Sequence, residues 1–140
     1  MSAVENEFNE PERTVPFFGR TYDETMGLLL SARHYVANVQ PGEFSQIEPG
    51  ERLHLNCEAL RLTTRLAQIM AWLLAQKALA AGEITREEAQ ADAYRLGAHA
   101  LCLADTDARV AANSKKLGAL MAQSRLLFER VARLDRQLDS

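Results

Sequence analysis

The sequence predicts an all-α protein, an antiparallel bundle of three or four helices that pairs with a second copy. Three observations carry this. Apolar residues recur at 3-4 spacing in the long segments, and no stretch alternates as a strand would. Two Thr-x-x-Glu sequences, Thr21–Glu24 and Thr85–Glu88, stand ahead of such segments as capping boxes. The run Leu53–Ala81 contains no Gly or Pro and is apolar on two opposite sides. A helix of that kind is covered by neighbours on more than one face.

A chain of 140 residues can bury one real core. Its net charge of −3 gives no electrostatic basis for nonspecific attraction to nucleic acid or membrane. The acidic N-terminus lacks an apolar signal region, and Arg61 and Arg65 interrupt the best apolar run well short of the ~20 residues a membrane helix needs. The expected location is therefore the cytoplasm. Cys57 and Cys102 lie in apolar helical segments and read as reduced, buried small side chains.

Residues 1–18 are expected to form a flexible acidic tail, with Phe17 and Phe18 packing on a bundle domain over 19–140. The first helix is expected to start at Thr21 and bury Thr25, Leu28, Ala32, Tyr35 and Val39. Pro41-Gly42 should stop it, leaving residues 41–50 as a loop.

Leu53–Ala81 is the second helix, closed by Gly82. One apolar row is Leu53, Cys57, Leu60, Thr64, Ala67, Ala71, Leu74 and Ala78. The other holds Leu55, Leu62, Leu66, Ile69 and Leu73, a seam that serves either the core or a dimer. Between them runs a polar stripe with His54, Glu58, Arg61, Arg65, Gln68 and Gln76, and Trp72 among them.

The third helix follows a tight turn, with Ala89, Ala93, Leu96, Ala100 and Leu103 inward. Its small side chains would lie close against the alanine-rich row of the second. Residues 105–116 fit either a loop or a kinked helix. From Leu117 a seam of Leu117, Leu120, Ser124, Leu127, Val131, Leu134 and Leu138 marks the last helix, with Met121 and Phe128 in support. Glu129 is placed to pair with Arg133 on its outer face.

No catalytic set, cofactor loop or metal site is expected. His54/Cys57 and His99/Cys102 form two His-x-x-Cys pairs. Folding the helices back about Glu83 leaves them about 20 Å apart at 1.5 Å rise per residue. The serines lack a nucleophile elbow, and the glycines are isolated. The polar stripe Arg61, Arg65, Gln68 and Trp72 is the candidate partner-binding surface, since Arg and Trp are enriched at hot spots. The alternative is that acids from a neighbour satisfy both arginines. Arg125, Arg130, Arg133 and Arg136, with Lys115 and Lys116, are the only basic cluster that could serve a transcription-associated regulator. Glu129, Asp135 and Asp139 interleave with them, which favours a solvated salt-laced face and no nucleic acid. A purely structural, dimerising role is the remaining alternative.

Three runs carry a resemblance: LRLTTRLAQIMAWLLAQKALAAGEIT (Leu60–Thr85), TYDETMGLLLSARHYV (Thr21–Val36) and SRLLFERVARLD (Ser124–Asp135). Taken in their order along the chain they resemble the RcdA-like family of alphaproteobacteria, named for a regulator of CtrA degradation. The resemblance covers nearly all of the chain after the N-terminal tail. It implies a small, helical, homodimeric, non-enzymatic adaptor. Such an adaptor helps deliver cell-cycle regulators to the protease ClpXP, with its substrates or co-adaptors as partners, sometimes at a cell pole. It brings no catalytic motif. The chain ends soon after the last helix, so recruitment through a longer C-terminal tail is not expected of it.

Overall fold

Three long helices, α1 (Ser2–His34), α3 (Pro49–Ala80) and α7 (Lys115–Gln137), pack against one another in a computed structural model. The structure describes the backbone of residues 2–139 and the side chains of residues 18–139. Of the expected tail over residues 1–18, the side chains of residues 1–17, Phe17 among them, thus lie outside those described. The core is a single cluster drawn from all three helices. It includes Leu28, Tyr35, Leu55, Leu62, Ile69, Leu117, Leu127 and Phe128. No strand occurs among the described residues.

α1 does not begin at Thr21. The backbone is already helical there, so the N–H groups of that turn have carbonyl partners and need no cap. The Thr25 hydroxyl donates back to the Thr21 carbonyl at 2.7 Å.

Nor does Pro41 stop the chain. α1 widens into a π-turn, Tyr35–Val39, in which the Gln40 N–H donates to the Tyr35 carbonyl five residues back. A proline lacks an N–H and crowds the preceding turn, and a widened turn relieves both. α2 (Gln40–Phe44) carries on past Pro41 and puts Phe44 into the core. The loop shrinks to the few residues before Pro49, which stands at the start of α3 where a missing N–H costs nothing.

α3 ends as expected. Gly82 adopts φ +76°, the Glu83 N–H donates to the Ala78 carbonyl at 2.8 Å, and the Gly82 N–H donates to Leu79 at 3.1 Å. This is a Schellman motif, and glycine takes its left-handed position without a Cβ clash.

The expected third helix is not one helix. Thr85 and Glu88 form the capping box, but only α4 (Arg86–Ala89) follows. A 3-10 turn (Asp92–Tyr94), an extended Arg95 and α5 (His99–Cys102) come next. Ala98 sits at φ +57° between them. Alanine-rich sequence favours a helix, but it offers little apolar area to hold one in place. Instead the chain drops Ala89, Leu96 and Cys102 into the core and leaves Ala93 and Ala100 exposed. Residues 105–116 resolve into α6 (Ala108–Asn113) with Asp107 as its cap. Ser114 then breaks the helix and caps α7 at the Leu117 N–H.

Candidate partner-binding surface

α3 lies between α1 and α7, and the short elements α4–α6 cross its third side. That arrangement decides which side chains of α3 can meet a partner. The row Leu55, Leu62, Leu66, Ile69 and Leu73 is 0–1% exposed within the single chain, so these residues form its core.

Apart from His54, whose side chain is 51% exposed, the polar stripe is turned inward. Arg65 is 0% exposed. Its Nε donates to the Cys102 carbonyl at 2.6 Å, and its two terminal nitrogens reach the carbonyls of Met121 (3.0 Å) and Ala104 (3.4 Å) and the Ser124 hydroxyl (3.3 Å). Its polar partners are carbonyls and a hydroxyl rather than the acids that sequence reasoning offered. Burial, and next the nearby Arg61, lower its pKa from the usual arginine value. An arginine remains charged through such a shift, so it acts as a fixed cation tying α5 and α7 to α3. Burial also raises the adjacent Cys102 thiol.

Trp72 is likewise interior. Its Nε1–H donates to Asp135 Oδ1 at 2.8 Å, and Phe18 meets its ring edge-on at 5.8 Å. Asp135 also accepts from Arg95 Nε at 2.8 Å, and Arg95 reaches on to Asp139. Arg95 holds the Asp139 carboxyl below the usual range. Gln68 accepts the Gly97 N–H at 3.1 Å. A Cβ at Gly97 would come within 3.3 Å of that same oxygen, so the Gln68 side chain would have to give by a few tenths of an ångström. Arg61 binds Glu58 at 2.9 Å and the Asp105 carbonyl at 3.0 Å. The four expected partner-binding residues therefore lie together, but as the strap that fastens α3 to the connection and α7. Arg65 and Trp72 have no surface to give a partner.

What solvent does reach is the first apolar row. Leu53 is 64% exposed, Leu60 66% and Leu74 50%, and Cys57, Ala67 and Ala71 are exposed too. This corrects two expectations. Cys57 is not buried, and the alanine-rich row is not covered by a third helix. Val36 of the π-turn lies beside Leu60, across a shallow groove of about 280 Å³. Leu30 on α1 borders a second groove of about 490 Å³ against α7, with His34 and Lys116 at its edge. Leu126 is a further exposed leucine on α7. The 4-3 spacing of the α3 row was visible in the sequence. Leu30 and Leu126 carried no such signal, because each lies off the apolar stripe of its helix.

His54 lies 3.9 Å from Asp107, while His99 meets Phe128 edge-on at 5.7 Å. Among the described residues, no group of three or more His, Cys, Asp or Glu side chains converges as metal ligands would. The arginines of α7 are partly neutralised: Arg125 pairs with Asp105 and Glu129, and Arg130 with Glu24. Glu129 thus pairs one turn back, not forward with Arg133. No helix among the described residues is long and apolar enough to cross a membrane.

These features define a small three-helix scaffold with a dry, cross-strapped interior and an apolar strip along one outer face. The chain belongs to the RcdA-like family: a family model described as "Protein of unknown function (DUF1465)" matches residues 10–140. It is similar to the crystal structure of RcdA from Caulobacter crescentus CB15, at 31% identity over 86% of this chain and 89% of that one, with a TM-score of 0.69. A search of curated proteins finds no match.

Proposed function

We propose that this protein is a non-enzymatic, homodimeric interaction module that acts as an adaptor in ClpXP-dependent proteolysis of cell-cycle regulators, in the cytoplasm and at a cell pole. The likeness to RcdA, a regulator of CtrA degradation, carries the reading. The exposed α3 strip supports it, because apolar surface at regular spacing on an otherwise charged small protein marks a contact site. Its partners on this reading are a second copy, the protease, and the protease's substrates or co-adaptors. The test is the half-life of candidate cell-cycle regulators in cells lacking the protein. At least one should be stabilised severalfold and restored by complementation. Unchanged half-lives throughout would sink the adaptor role.

A further inference from the structure

The outer row of α3 has a property that a general contact patch does not need. Its eight positions, Leu53, Cys57, Leu60, Thr64, Ala67, Ala71, Leu74 and Ala78, follow an unbroken 4-3 spacing. They span 26 residues, about 37 Å of helix. That is the a/d pattern of a helix facing another helix along its whole length. The Thr64 hydroxyl is already used within the helix, donating to the Leu60 carbonyl at 3.0 Å, so its methyl is free to pack. The flanks suit close approach. Lys77 lies over the Tyr22 ring at 4.0 Å, and Arg61 is held by Glu58, so neither cation stands free at the edge of the strip.

Size along the row sets the direction of the partner. In a parallel, in-register pair each residue would face itself. Leucines would stack on leucines at 53, 60 and 74, while Thr64, Ala67 and Ala71 would make thin layers between them. Two helices cannot hold a constant spacing across such layers without voids. In an antiparallel pair centred between Thr64 and Ala67, Leu53 meets the partner's Ala78 and Cys57 meets the partner's Leu74. Leu60 meets the partner's Ala71, and Thr64 meets the partner's Ala67. Every leucine then faces a small residue, and all eight positions are used.

We propose that a second copy of this chain docks antiparallel along this row of α3, in the register that sets Cys57 against the partner's Leu74. This rests on the homodimer reading above and adds its surface, direction and register.

Cys57 supplies the test. It is exposed and Cys102 is buried, so mild oxidation of the folded chain reports on Cys57 alone. In the antiparallel pair the two copies of Cys57 are about 25 Å apart, 17 residues along the axis, too far for a disulfide. The wild-type chain should run as a dimer by light scattering yet stay uncrosslinked under copper–phenanthroline. Leu74→Cys should form a covalent dimer under the same conditions, with an unchanged melting temperature before oxidation as the check on its fold. A wild-type disulfide dimer would mean a parallel pair and overturn the proposal. A noncovalent dimer that Leu74→Cys fails to trap would place the interface elsewhere, overturning the proposal while leaving the homodimer intact. A monomer at all concentrations would remove both.

Discussion

The two flanks of α3 differ in a direction opposite to their composition. The flank with Glu58, Arg65, Trp72 and Gln76 is dry, and the flank with Leu53, Leu60 and Leu74 is wet. On the dry side Glu58, Arg65 and Trp72 each meet a fixed partner, while the Gln76 amide nitrogen is buried without one. Arg65 meets carbonyls that the broken helix α5 leaves open at its end, and Trp72 meets Asp135. On the wet side half or more of each leucine meets no part of the chain. Polarity therefore does not mark the surface of this protein. The supply of partners does: unpaired carbonyls draw an arginine inward, and an apolar row left over when the core is full stays outside.

The sharpest way to break this contrast is to place the same charge on each side. Leu62→Glu puts an unpaired carboxylate at a 0% exposed position and should abolish cooperative unfolding. Leu60→Glu, two residues away and 66% exposed, should leave the subunit folded and convert the proposed dimer to monomer. Circular dichroism melts and light scattering separate the two. Equal loss of fold in both would show that the outer row is part of the core after all.

Arg65→Met tests the dry flank directly. The substitution keeps much of the stem but leaves the Cys102 and Ala104 carbonyls without their donor. A cost of about 3 kcal/mol is expected from denaturant unfolding, in line with losing charged hydrogen bonds in the interior. Hydrogen exchange should rise first across α5 and the residues up to Asp107, the segment that Arg65 ties down. A loss below about 1 kcal/mol would mean that those carbonyls find water or other donors.

The same contrast explains what was legible in the sequence. The three long helices, the Gly82 cap, the Thr85–Glu88 box and the inner row of α3 follow from spacing and local chemistry, which neighbouring residues determine. The helix expected after Thr85 fails for a nonlocal reason. Alanine propensity favours it, but Asp135, 40 residues on from Arg95, captures that arginine and takes the chain off the helical path. Arg65 misleads for the same reason, since its acceptors lie 37 to 59 residues away. At the candidate surface the outer row could be read, but not which of two rows would be outermost. That depended on where the connection α4–α6 crossed.

Asp135 gives a smaller test of that capture. Asp135→Asn keeps an acceptor for Trp72 but removes the charge that holds Arg95 and the Leu96 N–H. The Arg95 side chain is 20% exposed, so screening limits the effect to about 1 kcal/mol. Trp72 fluorescence should change little, while exchange at Arg95–Gly97 should accelerate. A large Trp72 shift would mean that the indole, rather than Arg95, is the main partner of the carboxylate.

Tyr35 extends the dry-flank rule to the π-turn. Its hydroxyl lies in the interior, donating to Glu43 at 2.8 Å and lying 3.2 Å from the Ser114 hydroxyl that caps α7. Burial first, against which the Ser114 hydrogen bond acts, raises its pKa from 10.0 to about 12. An acid with a raised folded-state pKa binds its proton more tightly when folded. Its contribution is therefore whole below pH 10 and is lost as pH climbs from 10 to about 12. The melting temperature should fall through that window, and Tyr35→Phe, which cannot ionise, should flatten the fall while starting from a slightly lower stability. A wild-type profile as flat as that of Tyr35→Phe would mean that the phenol ionises as easily in the folded chain as in the unfolded one, and that water rather than Glu43 and Ser114 is its partner.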